Sequence, residues 1–149
     1  MSTTTAKKGI GFFIEAVALV LAVVGIVAMV VSGSMGVGYE FPNMPVYLAL
    51  SVVAIALVVV SMMLDAKSAD KGPGIVSLLA LGVAIFILAY AGIQVVASRA
   101  LNISAIFSWN SGDTTGWSMF YAAAASAGCM VVSAVLLTVA GFMPTFKRR

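Results

Sequence analysis

Apolar residues along the chain gather into four runs, 10–32, 46–64, 75–97 and 117–142, separated by polar or glycine-rich stretches. Each run reaches about twenty residues, the length of helix that crosses roughly 30 Å of hydrocarbon. None alternates apolar and polar positions with period two, so the runs predict helices rather than strands of a membrane barrel. Hydrocarbon offers backbone N–H and C=O groups no partners, and a helix satisfies them within the segment. The expected fold is all-α: an integral membrane four-helix bundle, or tetraspan, forming one membrane domain over residues 1–149.

The breaks between runs define the loops. The short connection 65–74 carries Asp65, Lys67, Asp70 and Lys71, and Pro73 suits the first turn of the following helix, where a missing N–H costs nothing. On the opposite face, loop 33–45 carries Gly33, Gly36, Gly38, Pro42 and Pro45, which favour turns. Loop 98–116 is the longest connection. Leu101, Ile103, Ile106 and Phe107 give its first half the loosely amphipathic spacing of a short surface helix, broken at Asn110-Ser111-Gly112. Runs one and three both begin Lys-Gly-x-Gly, at Lys8–Gly11 and Lys71–Gly74, which suggests a duplicated hairpin.

Charge orients this layout. Lys7, Lys8, Lys67, Lys71, Lys147, Arg148 and Arg149 fall on one face and only Arg99 on the other. The positive-inside rule makes the basic face cytoplasmic, with both termini inside and the protein multi-pass in the cell membrane. The first run exceeds the apolar core of a signal peptide and is expected to be retained as a span. Composition agrees with a membrane protein: 62% of residues are hydrophobic and 9% charged, where a soluble domain has about a quarter charged. The net charge of +3 needs no nucleic-acid partner to explain it.

Candidate chemistry is sparse. The chain has no histidine and one cysteine, which removes histidine-ligated haem, the common zinc sites and an internal disulfide. The acidic residues Glu15, Glu40, Asp65, Asp70 and Asp113 are scattered, and no two are placed for paired acid–base work. Neither an enzyme, a cofactor nor a resident metal is expected. Asn102-Ile103-Ser104 matches a glycosylation acceptor only as a common tripeptide.

Glu15 is the sharpest candidate, as an ion-coupling or assembly site. It lies seven residues beyond Lys8, about 10 Å deeper along a helix, and a carboxylate within a span is costly. The stretch Ile14-Glu15-Ala16-Val17 is similar to the glutamate-bearing first span of the small multidrug resistance transporters. That resemblance stops there: the second outer loop is too long, the lysine bias opposes a dual-topology dimer, and among mid-span aromatics only Phe86 and Tyr90 stand out. The layout also resembles claudin-like tetraspan proteins in architecture alone, since loop 33–45 has neither tryptophan nor cysteine.

Two further groups complete the candidates. Ala122, Ala124, Ser126 and Gly128 form small-xxx-small spacings in the fourth run, a helix-packing face. Ser51, Ser61, Ser77, Gln94, Ser133 and Thr138 join them as hydroxyl or amide groups within spans, with no convergence on Glu15 evident. At the start of the fourth run Trp117, Phe120 and Tyr121 fit an interfacial aromatic belt. Asp113 or Thr114 is placed to cap the fourth span. Phe107, Trp109 and Asp113 are then the candidates for recognition, with Trp109 expected to anchor the loop as a lid over the bundle or to grip a partner.

These features lead to a small non-enzymatic membrane protein that acts by association, as an accessory or structural subunit or as a homo-oligomer. Its partners are then the lipid bilayer and other membrane subunits or copies of itself. The alternatives are a small transporter or channel subunit using Glu15, and a receptor or immunity-type binder working through the outer loops.

Overall fold

The computed structural model describes residues 7–34, 43–67, 74–109, 111–143 and 146–147. Among them are five helices: α1 (Ile10–Gly33), α2 (Met44–Lys67), α3 (Ile75–Ala97), α4 (Ala100–Ser108) and α5 (Thr114–Gly141). All but α4 are long and apolar enough to cross a membrane. Two residues before α1, β1 (Lys7–Lys8), pair antiparallel with two after α5, β2 (Phe146–Lys147). An all-α expectation had no place for this ribbon.

The buried residues of α1 are Gly11, Glu15, Ala18, Ala22, Gly25, Met29 and Ser32, separated by alternating steps of four and three. The buried positions of α2, Ser51, Ala54, Val58, Ser61 and Asp65, keep the same rhythm, and α3 and α5 follow it with one added position each. A 3.5-residue repeat keeps a seam facing its neighbour along the whole helix and is the signature of left-handed packing near +20°. What marks this seam is small size, since alanine, glycine and serine dominate it. Hydrophobicity does not mark it, because most outward positions are also apolar, chiefly valine, leucine, isoleucine and phenylalanine.

The helices form a ring. α5 packs most extensively against α1 and next against α3, α3 also packs on α2, and a slimmer contact between α2 and α1 closes the circuit. A half-turn exchanging the hairpins α1–α2 and α3–α5, as a duplication would impose, maps the α1–α5 interface onto α3–α2. It would also equate α1–α2 with α3–α5, and these differ clearly in extent.

Several element bounds differ from the sequence expectation. Pro45 lies in the first turn of α2 rather than in a turn, and Asn43 before it takes φ of 58°, a left-handed conformation asparagine tolerates. Its carbonyl accepts from the N–H groups of Val46 and Tyr47 at 3.0 and 3.3 Å. α2 runs on to Lys67, so Asp65 belongs to the helix rather than to the loop. α5 starts at Thr114, three residues before Trp117, because Asp113 holds an extended N-cap conformation and the polar first turn tolerates exposure. The turns expected at Gly36, Gly38 and Pro42, and the placement of Pro73, lie outside the described residues.

Candidate functional site

The small residues of α5 divide into two faces. Ser126 and Ser133 point into the ring, where their hydroxyls donate to the carbonyls of Gly25 and Ala18 on α1, each at 2.7 Å. Both bonds join positions one heptad apart on antiparallel helices, so they fix the α1–α5 register twice. The close approach depends on Gly25: a Cβ there would stand 2.8 Å from Met130 Cγ and 3.2 Å from the Ser126 carbonyl oxygen. Ala122, four residues before Ser126, is half-buried on the same side.

Ala124 and Gly128 lie two residues to either side of Ser126, about 200° around the helix at 100° per residue. Both are exposed, and a Cβ at Gly128 would meet nothing within 4 Å. The four residues expected to form one packing face therefore serve two: Ala122 and Ser126 face the ring, and Ala124 and Gly128 face away from it. Beside the outward pair runs a groove of 490 Å³, lined by Gly92, Ile93 and Val96 of α3 and by Ala127, Gly128 and Val131 of α5, with Ala97 at its end. Gly92 makes this seam tight, since a Cβ there would lie 3.2 Å from Met130 Cβ and 3.3 Å from the Ala127 carbonyl oxygen. The lining is wholly apolar, so the groove suits hydrocarbon or an apolar helix face.

Buried polar groups gather at the end of the ring that holds the termini. Glu15 is 1% exposed on the inward stripe of α1, between Gly11 and Ala18. Across the ring, Ser77 Oγ donates to Asp65 Oδ1 at 2.6 Å and lies 2.9 Å from Ser61 Oγ, which also donates to the Ser77 carbonyl at 3.1 Å. These contacts join α2 to α3, and Asp65 is only 9% exposed. Ser61 lies six residues from the end of α2 and Glu15 five residues from the start of α1, depths of about 8–9 Å. Asp65 went unrecognised as a buried group in the sequence reading, although its i, i+4 spacing from Ser61 places both on one face. Among the described residues no group of three or more metal-ligating side chains converges.

Two further span hydroxyls bond locally: Ser51 donates to the Tyr47 carbonyl at 2.8 Å, and Thr138 to that of Ala134 at 2.9 Å. Phe86 stacks on Tyr90 with centroids 6.3 Å apart, and Tyr90 in turn approaches Tyr47 at 6.1 Å. This aromatic row joins α3 to α2.

The other end is capped by α4. Ile106 is its buried residue, seated where Gly116 leaves room: a Cβ on Gly116 would lie 3.1 Å from Ile106. Phe107 meets Trp117 and Phe120 edge-on at 5.2 and 5.3 Å, and Trp117 Nε1 donates to the Ser111 carbonyl at 2.8 Å. Trp117, Phe120 and Tyr121 form a continuous aromatic band, with Trp117 and Tyr121 at 6.1 Å. Trp109 does not anchor the cap: it is 80% exposed at the C-terminal tip of α4, and Ile106 and Phe107 hold the helix instead. Asp113 occupies the N-cap position of α5, but its side chain makes no capping bond.

Arg99, the cation expected outside the membrane, is 1% exposed at the α3–α4 junction, where it is the N-cap residue of α4. Burial lowers its pKa below the usual guanidinium value. Nothing in the local spacing marked it as buried; the signal was its isolation as the single basic residue on that face. Comparison with protein-family models, with characterised proteins and with solved structures finds no match to this chain.

Proposed function

We propose that this chain is a multi-pass membrane protein, with both termini cytoplasmic, that works without catalysis by associating with a partner helix. It serves as an accessory or structural subunit of a membrane complex or as a homo-oligomer. The observation that carries this reading is the outward pair Ala124 and Gly128 beside the apolar groove between α3 and α5. Most other outward positions are filled by large apolar side chains, which satisfy lipid at no cost, although Ala56, Gly82 and Ala125 are exposed as well. Small residues at an outward position instead let a second backbone approach closely, and van der Waals contact drives helix association in lipid. Cytoplasmic placement of the termini rests on the distribution of lysine and arginine.

The test is the double substitution Ala124→Leu/Gly128→Leu, read by particle mass in mild detergent together with helical content. The expected result is a smaller particle with unchanged helicity. An unchanged mass counts against the reading.

A second reading is favoured by Glu15, a carboxylate buried within α1 at about the depth of Ser61, the innermost member of the Asp65–Ser77–Ser61 chain. In that reading the protein is a small transporter or channel subunit that uses Glu15 to couple an ion or proton. Glu15→Gln then abolishes flux in reconstituted vesicles while the bundle stays folded; retained flux contradicts it. Binding through the outer cap, with exposed Trp109 as its anchor, is the remaining alternative, and replacing 98–116 with a short linker would then remove binding while leaving the four long helices folded.

A further inference from the structure

One buried apolar cluster of the ring includes Ala18 of α1, Val58 of α2, Leu81 of α3 and Leu137 of α5. A helical turn nearer the end that holds the termini, the buried stripes continue with Glu15, Ser61, Ser77 and Ala140. The interior therefore turns polar within a single layer, shared by a carboxylate, two hydroxyls and an alanine. Asp65 lies a further turn out on α2. Exposure falls along the hydrogen-bonded series, from 9% at Asp65 through 2% at Ser77 to 0% at Ser61. Ser77 carries one hydroxyl hydrogen, which goes to Asp65 Oδ1 at 2.6 Å, the length of a bond to a charged acceptor. Ser61 is then the donor in the 2.9 Å contact between the two hydroxyls. The row runs from the interior to the rim, from Ser61 through Ser77 to Asp65.

A row of this kind can carry a proton, since each hydroxyl accepts one hydrogen and gives up another, and chains of ionisable groups within spans mark proton relays. We infer that Ser61, Ser77 and Asp65 form the proton-release path of Glu15, an inference that rests on the reading in which Glu15 couples a proton. Protonated Glu15 gives its hydrogen to Ser61 Oγ within the layer they share, Ser61 gives its own to Ser77 Oγ, and Ser77 gives its own to Asp65. Each serine ends with one hydroxyl hydrogen, and the negative charge has moved from Asp65 to Glu15. Asp65 then loses the proton to water at the rim, and the hydroxyls turn back to their starting orientation. Among the described side chains at this end, Lys67, exposed in the last turn of α2, is the other charged group; α3 and the last turns of α5 bring none.

Rapid-mixing infrared spectroscopy of the full chain in lipid vesicles tests the path. The carboxyl stretch of protonated Glu15, identified by its loss in Glu15→Gln, is followed after an upward jump in pH. Ser77→Ala and Asp65→Asn should each slow deprotonation of Glu15 by about tenfold or more, and Ser77→Thr, which restores a hydroxyl, should return the rate to within about twofold. Ser126→Ala removes a buried interhelical bond away from the path and should leave the rate within about twofold, because its effect is on packing alone. Should Ser77→Ala fail to fold, Ser61→Ala breaks the same row and is expected to slow the reaction equally. An unchanged rate in the path variants, or equal slowing in Ser126→Ala, overturns the path while leaving a titrating Glu15 in place. The absence at every pH of a band that Glu15→Gln removes overturns the Glu15 reading itself, and the path with it.

Discussion

At Gly25 the backbones of α1 and α5 come close enough that a single added carbon would strike Met130 and the Ser126 carbonyl. Gly128, on the same helix as Met130, has open space around it. The two glycines therefore make opposite predictions. Gly25→Leu should destabilise the bundle by about 1–3 kcal/mol or more through overpacking, while Gly128→Leu should change its intrinsic stability by less than about 0.5 kcal/mol. Unfolding in detergent measures both, and equal effects would contradict the assigned faces. Ser126→Ala removes a cross-helix bond to the Gly25 carbonyl, and such bonds in membrane bundles average about 0.6 kcal/mol. Ser77→Ala, which breaks contacts with both Asp65 and Ser61, should cost more, on the order of 1–2 kcal/mol.

Among the elements, α4 is held to the bundle by Ile106 and Phe107, and Ile106 is its buried residue. Ile106 fills the space beside Gly116, and Ile106→Ala should cost about 2–5 kcal/mol of local stability. Hydrogen exchange should quicken in 100–108 while the four long helices remain protected; a uniform increase would show that α4 is integral to the ring. Trp109→Ala should leave exchange unchanged. Iodide should quench the fluorescence of Trp117→Phe, where Trp109 remains, more strongly than that of Trp109→Phe, where the remaining indole is half-buried and bonded to the Ser111 carbonyl. The existence of the long helices was legible because lipid demands apolar length, and run length is plain in the sequence. Their facing was not, because lipid and core both accept valine and alanine, so no polar stripe separates inside from outside. Ser126 and Ala124 illustrate this: two small residues two positions apart, one bonded to Gly25 and one facing out. Asp65 was misplaced for a related reason, since an acidic residue near a span's end ordinarily marks the loop, whereas here it continues the buried stripe of α2 and accepts a hydrogen bond from Ser77.

Taken whole, the molecule is a ring of four long helices in which α5 is central, packing α1 on one side and α3 on the other. Its inward serines fasten the ring, its first turns carry the aromatic band, and its outward small residues border the apolar groove. The central claim is that a protein helix, rather than lipid alone, covers that outward face. Site-specific photocrosslinking in the native membrane addresses it directly, with a photoreactive residue replacing Gly128 and, as a control, replacing Val52, which is 57% exposed on α2. The account predicts a discrete protein adduct from position 128 and none from position 52; adducts from both positions alike, or lipid alone at 128, would contradict it.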